Sequence, residues 1–562
     1  MIYNRDNVFK KHNIKRVRQM SKIAFKIISA ILATVIICLS FTACSSTVKD
    51  AELRCPMANE PVSLDPQTAD TSESLTIAAN CYETLMKSDS EGKIMPAAAE
   101  KMTSSTNGLA YRFTLYNDNK WHINSNHEEI FGEGYEDAID LRVTAHDFVF
   151  GIRRALMPDT KSPGAYRLYM IKNAEKVHKG LLPPEQLGVT AIDDFTLQIE
   201  LEYASSEFMQ VLTEPITAPC NREFFEATKG RYGLSAETIL CNGSFYLSRW
   251  YAGNNIVLRR NEDNAHSAAK VYSLTYAFTQ DEQVILDNLL DRKYAVAELT
   301  ATQAEKAKDK KCNVYEIQNT LWGLTFNCSD PIMSNPKFRL ALVMSTDFNE
   351  ILSSANDKPS QASGIIPPSC TIDGKSAQSV LPAVKLPAND TTTAKKYFDE
   401  CMQGKECSFN VLCTPEYENA IRQTIQNWQQ LFGIKFSAKV EVVDADELKE
   451  RVRKGNYQCA VAPISTNAET AVEFLYSFRD PSNICRYTSE NFNTLLSQLL
   501  TASSANSVAQ GCAAAQNYLI QNSVIIPLFF QSRYIATNPK ITSVKILSSG
   551  DVVSLCETEL LK

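Results

Sequence analysis

The pattern of apolar and polar positions predicts strands and helices along most of the chain. Residues 111–115 and 196–201 alternate apolar and polar side chains with period two, which is typical of half-buried strands. From about residue 270 to residue 520, strand patterns alternate with helical ones. That alternation predicts an α/β unit with its own sheet.

Helical periodicity is strongest in three segments. Apolar residues recur at helical spacing over residues 145–156, 337–352 and 418–432. The first segment starts with Thr144 in the N-cap position and an acid, Asp147, in the first turn, which is the arrangement helix N-termini prefer. We therefore expect three continuous helices over these ranges.

The N-terminal segment has the pattern of an export signal. Residues 1–43 hold eight basic residues and one acidic residue, and the charges precede an uncharged, mostly apolar run over 27–43. This run is shorter than the roughly 20 apolar residues that cross a bilayer with ease, and it ends in small side chains. We interpret residues 1–43 as a cleaved signal peptide, with Met20 as an alternative start.

A cysteine follows the signal segment directly. Residues 41–46, Phe-Thr-Ala-Cys-Ser-Ser, resemble a bacterial lipobox, although Phe41 replaces the usual leucine. The resemblance implies lipidation of the Cys44 thiol and cleavage before it, with residues 44–49 as a polar tether. Two acyl chains would hold the protein stably on a membrane.

Length and charge limit the architecture and the partners. A chain of 562 residues is too long for one core, so two or three lobes are expected. Residues 44–562 hold 49 basic and 63 acidic side chains. Because residues 44–562 are strongly acidic, they repel nucleic acid, and we expect no nucleic-acid partner.

Signatures of metal and catalytic sites are missing from the sequence. The 14 cysteines beyond Cys44 form no C-x-x-C pair, so structural zinc has no support, and we expect mostly free thiols. His122 and His127 lie in an acidic stretch, residues 121–141, which we expect to be a solvated loop without a metal. There is no G-x-S-x-G, H-E-x-x-H or P-loop motif, so we predict neither an enzyme nor a cofactor. A paired-carboxylate hydrolase stays open as an alternative.

Several segments, in this order, resemble the peptide-binding receptors of ABC importers, solute-binding protein family 5 of the oligopeptide and dipeptide type. They extend over nearly the whole mature chain. The segments are Ser63-Leu-Asp-Pro66, Tyr82-Glu-Thr-Leu85, Asp89 to Pro96, Tyr111-Arg-Phe-Thr-Leu115, Val143-Thr-Ala-His-Asp-Phe148, Arg153-Arg-Ala-Leu-Met-Pro158, Asp193-Asp-Phe-Thr-Leu197, Asn242-Gly-Ser-Phe-Tyr246, Leu258-Arg-Arg-Asn261, Phe338-Arg-Leu-Ala-Leu342 and Ile526-Pro527.

The resemblance implies an α/β, periplasmic-binding-protein-like fold of type II (cluster C), with two main lobes around a cleft and an extra inserted lobe. The implied lobe boundaries are residues 50–85, 200–280 and 522–562 for lobe I, 86–199 for the inserted lobe II, and 281–521 for lobe III.

The resemblance also implies ligand-binding positions. Asp70, Thr71 and Ser72 fall where the first lobe would contact the ligand, and Ser465, Thr466 and Asn467 fall where the third lobe would. Trp322 is a further candidate pocket aromatic. Peptide receptors of this family usually offer an aspartate near a tryptophan in the third-lobe segment. This chain has Asn467 and Ile464 there, so an ammonium group would meet no charge at that point.

The function implied is a monomeric lipoprotein on the extracytoplasmic face of the bacterial cell membrane. It would capture peptides and deliver them to an ABC transporter permease. The alternatives are a receptor of the same class for a non-peptide solute, such as an oligosaccharide or a metal chelate, and a secreted hydrolase.

Overall fold

The computed structural model describes residues 50–89, 93–205, 207–267, 269–355, 359–466, 468–502, 504–547 and 552–562. Residues from Lys49 to Glu559 form one compact unit. Within the described ranges, no helix is both long enough and apolar enough to span a membrane. The signal segment, Cys44 and the tether lie outside the described residues.

The strands are numbered in chain order. They are β1 Glu52–Met57, β2 Met86–Ser88, β3 Ile94–Pro96, β4 Ala99–Ser104, β5 Ala110–Leu115, β6 Val189–Asp193, β7 Thr196–Glu200, β8 Phe245–Tyr251, β9 Asn255–Arg260, β10 Ser273–Phe278, β11 Val296–Leu299, β12 Asn313–Phe326, β13 Thr371–Ile372, β14 Lys375–Ser376, β15 Cys407–Cys413, β16 Phe436–Val442, β17 Cys459–Ser465, β18 Ile525–Thr537, β19 Ile541–Thr542, β20 Lys545–Ile546, β21 Val553–Ser554 and β22 Glu559–Leu560.

The α-helices are numbered in the same way. They are α1 Ser72–Cys81, α2 Glu128–Phe131, α3 Ala145–Leu156, α4 Ala174–His178, α5 Phe208–Val211, α6 Arg222–Ala227, α7 Glu282–Leu290, α8 Ala301–Asp309, α9 Pro336–Met344, α10 Phe348–Ser353, α11 Ala377–Val380, α12 Thr391–Met402, α13 Glu418–Phe432, α14 Ala445–Lys454, α15 Ala471–Tyr476, α16 Glu490–Leu500 and α17 Ala505–Gln521.

Three larger sheets organise the unit. The first sheet has the order β1-β10-β9-β8, the second β4-β5-β7-β6, and the third, with six strands, β11-β18-β12-β17-β15-β16. β1 pairs with β10 in parallel, whereas β12 pairs with β17 and β18 antiparallel. In the third sheet β15 is parallel to both β16 and β17.

The main hydrophobic core surrounds the third sheet. β17 is buried along almost its whole length, as expected of a strand covered on both faces. Helix α13 packs onto this core through Ile421, Ile425, Trp428 and Phe432, which recur at helical spacing. The periodicity seen in the sequence is therefore the buried face of this helix.

The predicted local elements are largely confirmed. β5 and β7 occupy the two alternating segments and pair antiparallel, and α3 and α13 have the predicted bounds. Thr144 and Asp147 form a capping box at the start of α3.

The single helix predicted over residues 337–352 is wrong. The segment forms two helices, α9 and α10, because the hydroxyls of Ser345 and Thr346 donate to the carbonyls of Ala341 and Leu342, each at 2.7 Å. Asp347 then starts the second helix by accepting the N–H of Asn349 at 3.0 Å.

The end of the chain contributes to more than one sheet. β18 lies in the third sheet between β11 and β12, whereas the resemblance places residues 522–562 in the first lobe. Residues 553–555 return to helix α1, where Asn80 donates to the carbonyl of Val553 at 3.0 Å and accepts the N–H of Leu555 at 2.8 Å. The lobe boundaries themselves stay a prediction.

The acidic stretch 121–141 is not a fully solvated loop. Trp121 and His127 are buried, and His127 Nε2 lies 3.0 Å from the carbonyl oxygen of Ile239. The acids at Glu128 and Glu129 start helix α2 and face solvent. The buried rings of Trp121 and His127 therefore anchor this stretch to the fold, which its acidic composition does not indicate.

Candidate ligand-binding cleft

A cavity of about 850 Å³ opens where the first and third sheets meet. The two sheets adjoin at their edge strands, since the N–H of Ala295, just before β11, donates to the carbonyl of Arg54 in β1 at 2.7 Å. Residues of β1, β11, β18 and helix α1 line the cavity. A volume of this size fits a drug-sized ligand or a short peptide.

One wall is formed by β1 and the start of helix α1. The helix begins here because the Thr71 hydroxyl accepts the N–H of Ser74 at 3.2 Å as an N-cap. This start turns Ser72, Glu73 and Thr76 toward the cavity. Glu73 accepts hydrogen bonds from Asn59 at 3.0 Å and from the Ser72 hydroxyl at 3.1 Å.

The opposite wall is formed by the second half of β18 and its neighbours β11 and β12. Arg533 donates to both carboxylate oxygens of Glu298, at 2.8 and 2.6 Å. The Ser532 hydroxyl donates to Glu316 on β12 at 2.6 Å. These hydrogen bonds orient the side chains of Glu298, Glu316 and Arg533 before any ligand binds.

Amide side chains are frequent around the cavity. Each amide offers both donors and acceptors, so polar ligands of different shape can be satisfied. The glutamines that line it are Gln280, Gln303, Gln318, Gln361, Gln378 and Gln531.

The predicted first-lobe residues differ in their relation to this cavity. Ser72 lines it, whereas Asp70 and Thr71 are exposed and are not among its lining residues. Thr71 instead caps helix α1, as described above. The ligand-binding roles of the three residues stay predictions.

Trp322 lies behind the wall rather than in it. Its ring is 8% exposed and stacks on Phe529, with centroids 5.9 Å apart. The indole N–H donates to Gln531 at 2.8 Å. Trp322 therefore supports Phe529 and Gln531, both of which line the cavity.

Ser465 and Thr466, two of the predicted third-lobe residues, lie at the end of β17 and are not among the residues that line the cavity. The hydroxyls of Ser465 and Thr320 are 2.9 Å apart, and Thr466 donates its N–H to Asn319 at 3.2 Å. Asn467 and the lipidation candidate Cys44 lie outside the described residues. The contact of this segment with ligand stays a prediction.

Sequence reasoning missed the residues that give the cavity its charge. Glu73, Glu298 and Glu316 come from a helix and two strands that are far apart in sequence. No motif connects them. Only Glu73 could have been found from the sequence, because it directly follows the predicted ligand-contact residues 70–72.

The described residues offer no metal centre. No group of three or more histidine, cysteine or carboxylate side chains in the described ranges is placed to hold an ion. His122 lies 2.7 Å from Asp263 and is stacked on Tyr246, and His127 is buried in packing. Burial lowers the pKa of both histidines. The fourteen cysteines of the described part are free thiols, most of them buried.

The amino-acid sequence of the chain matches a known family. The model for bacterial extracellular solute-binding proteins, family 5 (middle part), matches residues 93–484. The chain belongs to this family. Its members are solute-binding proteins, which agrees with the prediction of binding without catalysis.

Individual relatives can be aligned with this chain over most of its length. The oligopeptide-binding protein OppA of Bacillus subtilis is 23% identical over 523 residues, covering 88% of this chain and 90% of the relative. The probable deoxycholate-binding periplasmic protein YgiS of Escherichia coli is 24% identical over 496 residues, covering 84% and 86%.

The fold is that of solved family 5 receptors. The crystal structure of Haemophilus influenzae OppA in complex with RPPGFSPFR matches with a TM-score of 0.72 at 21% identity, covering 92% of this chain and all of that one. This confirms the predicted type II periplasmic-binding-protein-like fold.

Proposed function

We propose that this family 5 protein is the lipid-anchored peptide receptor of an ABC importer, on the extracytoplasmic face of a bacterial membrane. The observation that carries the proposal is the 850 Å³ cavity between the edge strands of two sheets. β1 and β11 are edge strands of their sheets, and a sheet edge offers backbone groups with which an extended peptide can pair, whatever its sequence. The oligopeptide-binding relatives support this assignment.

Release to a permease needs a cleft that opens and closes. The chain passes from the first sheet to the third at residues 279–281, and it leaves the third sheet after β18, where Asn538 donates its N–H to the carbonyl of Ala295 at 2.8 Å. A small number of crossings suits a hinge, so that ligand occupancy shifts the population of the closed form.

The full chain, purified with its native lipid, tests this function. Mass spectrometry identifies what co-purifies, and the melting temperature is then followed against peptides of two to nine residues, oligosaccharides and deoxycholate. A ligand that binds only the folded form raises the melting temperature with its concentration. We expect peptides to do so. Stabilisation by the bile acid or a sugar alone would refute the peptide assignment.

The anchor is tested separately by metabolic labelling with a fatty-acid analogue. We expect label on the wild-type chain and none on Cys44→Ala, which would be released from the membrane. Equal labelling of both chains would contradict the assignment of Cys44.

A further inference from the structure

The walls of the cleft carry an excess of negative charge. Four carboxylates line it, Glu73, Glu282, Glu298 and Glu316, against one basic side chain, Arg533. Arg533 is held by both oxygens of Glu298. Among the described residues that line the cleft, this is the one ion pair between side chains. Within the described residues, Glu73, Glu282 and Glu316 form no ion pair with a basic side chain, although the charge of Lys308 interacts with that of Glu316.

Two of these carboxylates face the cavity from opposite walls. Glu73 belongs to helix α1 beside the first sheet, and Glu316 belongs to β12 of the third sheet. Their hydrogen-bond partners, Asn59, Ser72 and Ser532, are neutral. Neutral donors fix the direction of a carboxylate without cancelling its charge. Both groups remain able to bind a cation.

A ligand that enters such a cleft meets a focused field. The four carboxylates line one cavity, so their like charges add at a ligand that enters it, although the solvent in the cavity screens each of them. Bringing the two walls together also brings like charges together, unless a cation lies between them. A cationic ligand would remove this repulsion, and an anionic one would increase it.

We propose that the cleft selects solutes that carry a positive charge, and that Glu73 and Glu316 bind the ammonium or guanidinium group of the ligand. This proposal rests on the proposed function for the peptide nature of the ligand, but the sign of the charge follows from the walls alone. Lining glutamines such as Gln318, Gln361 and Gln531 satisfy the remaining polar groups.

The cation could be a basic side chain or the free amino terminus of a peptide, and matched ligands distinguish these. Binding to the full chain is measured by calorimetry with Ala-Lys-Ala, Ala-norleucine-Ala and Ala-Glu-Ala, each with a free and an acetylated amino terminus. We expect the lysine peptide to bind at least about fivefold more tightly than the norleucine peptide. The advantage is expected to shrink as salt is added.

Variants assign the effect to residues. Glu73→Gln and Glu316→Gln keep size and hydrogen bonding but remove the charge, so each is expected to reduce the lysine advantage about threefold or more. Glu185→Gln is the matched control, because Glu185 is exposed and lies outside the cleft. It is expected to leave all affinities unchanged. If acetylation abolishes the preference of the cleft while the side chain has no effect, the bound cation is the amino terminus.

Equal affinity for the lysine, norleucine and glutamate peptides, together with no effect of acetylating the amino terminus, would overturn the charge proposal and leave the peptide receptor intact. Unchanged preference in both glutamine variants would overturn the residue assignment. If no peptide binds, the melting temperature is measured with putrescine, a dication, and with succinate, a dianion, to test the charge preference without a peptide. Stabilisation by putrescine alone supports the charge proposal and refutes the peptide function, whereas stabilisation by neither probe refutes both.

Discussion

Arg167 forms ion pairs with both Glu473 of helix α15 and Glu214, the latter at 2.6 Å. The three side chains are largely buried, with 19%, 10% and 6% of each exposed. They come from segments that are far apart in the chain. One guanidinium therefore joins parts of the fold that local contacts alone would not hold together.

Removing this guanidinium is expected to be strongly destabilising. Arg167→Met leaves the buried carboxyl groups of Glu214 and Glu473 without this cation, which costs about 3–5 kcal/mol of unfolding free energy. Urea unfolding measures the loss. Arg222→Met is the control, because Arg222 and Glu226 are 70% and 60% exposed and such pairs contribute little. Similar losses in the two variants would contradict a structural role for the buried cluster.

The same cluster predicts a dependence of stability on pH. Burial raises the pKa of Glu473 to about 8, and the negative charges of Glu214 and Glu469 act in the same direction, whereas the positive charge of Arg167 opposes them. The folded protein then keeps a proton that the unfolded chain loses near its ordinary pKa of 4.5. The free energy of unfolding is expected to fall as pH rises from about 4.5 to about 8.

Urea unfolding at about pH 5 and about pH 8 checks this slope. Glu473→Gln is expected to flatten it, since glutamine does not titrate, whereas Glu185→Gln is expected to leave it unchanged. An unaltered slope in Glu473→Gln would refute the assignment.

Filling the mouth of the cleft is expected to block ligand. Ser72 is the first residue of helix α1 and lines the cavity. Ser72→Tyr is expected to weaken binding at least about tenfold without lowering the melting temperature of the free protein. Thr391→Tyr, at the first position of the exposed start of α12, is the matched control. Full affinity in Ser72→Tyr would show that ligand binds elsewhere.

Gly243 is expected to tolerate no side chain. A Cβ at this position would lie 2.6 Å from the carbonyl carbon of Cys81, at the end of helix α1. Gly243→Ala is expected to cost about 3 kcal/mol, because backbone atoms must move. Gly253→Ala, where nothing lies within 4 Å, is expected to cost only the strain of its positive φ, about 1 kcal/mol. Thermal unfolding compares the two, and equal losses would contradict the close approach.

The sequence by itself determined the local elements and the family. Helices α3 and α13 have the predicted bounds because their apolar period and their starting residues act within a few turns of chain. The order of the family segments likewise predicted the fold. The prediction of a single helix over residues 337–352 is wrong, because side-chain hydrogen bonds at Ser345 and Asp347 interrupt the helix despite the continuous apolar pattern.

Only the tertiary structure decided which side chains share the cleft. Ser72 and Glu73 line it while their neighbour Thr71 caps a helix, and the sequence could not separate these roles. The opposition of Glu73 and Glu316, and the placing of β18 in the third sheet, depend on contacts between distant segments. Such contacts are set by how the sheets pack against each other. The pattern of apolar and polar residues in one segment does not indicate which distant segment will lie against it.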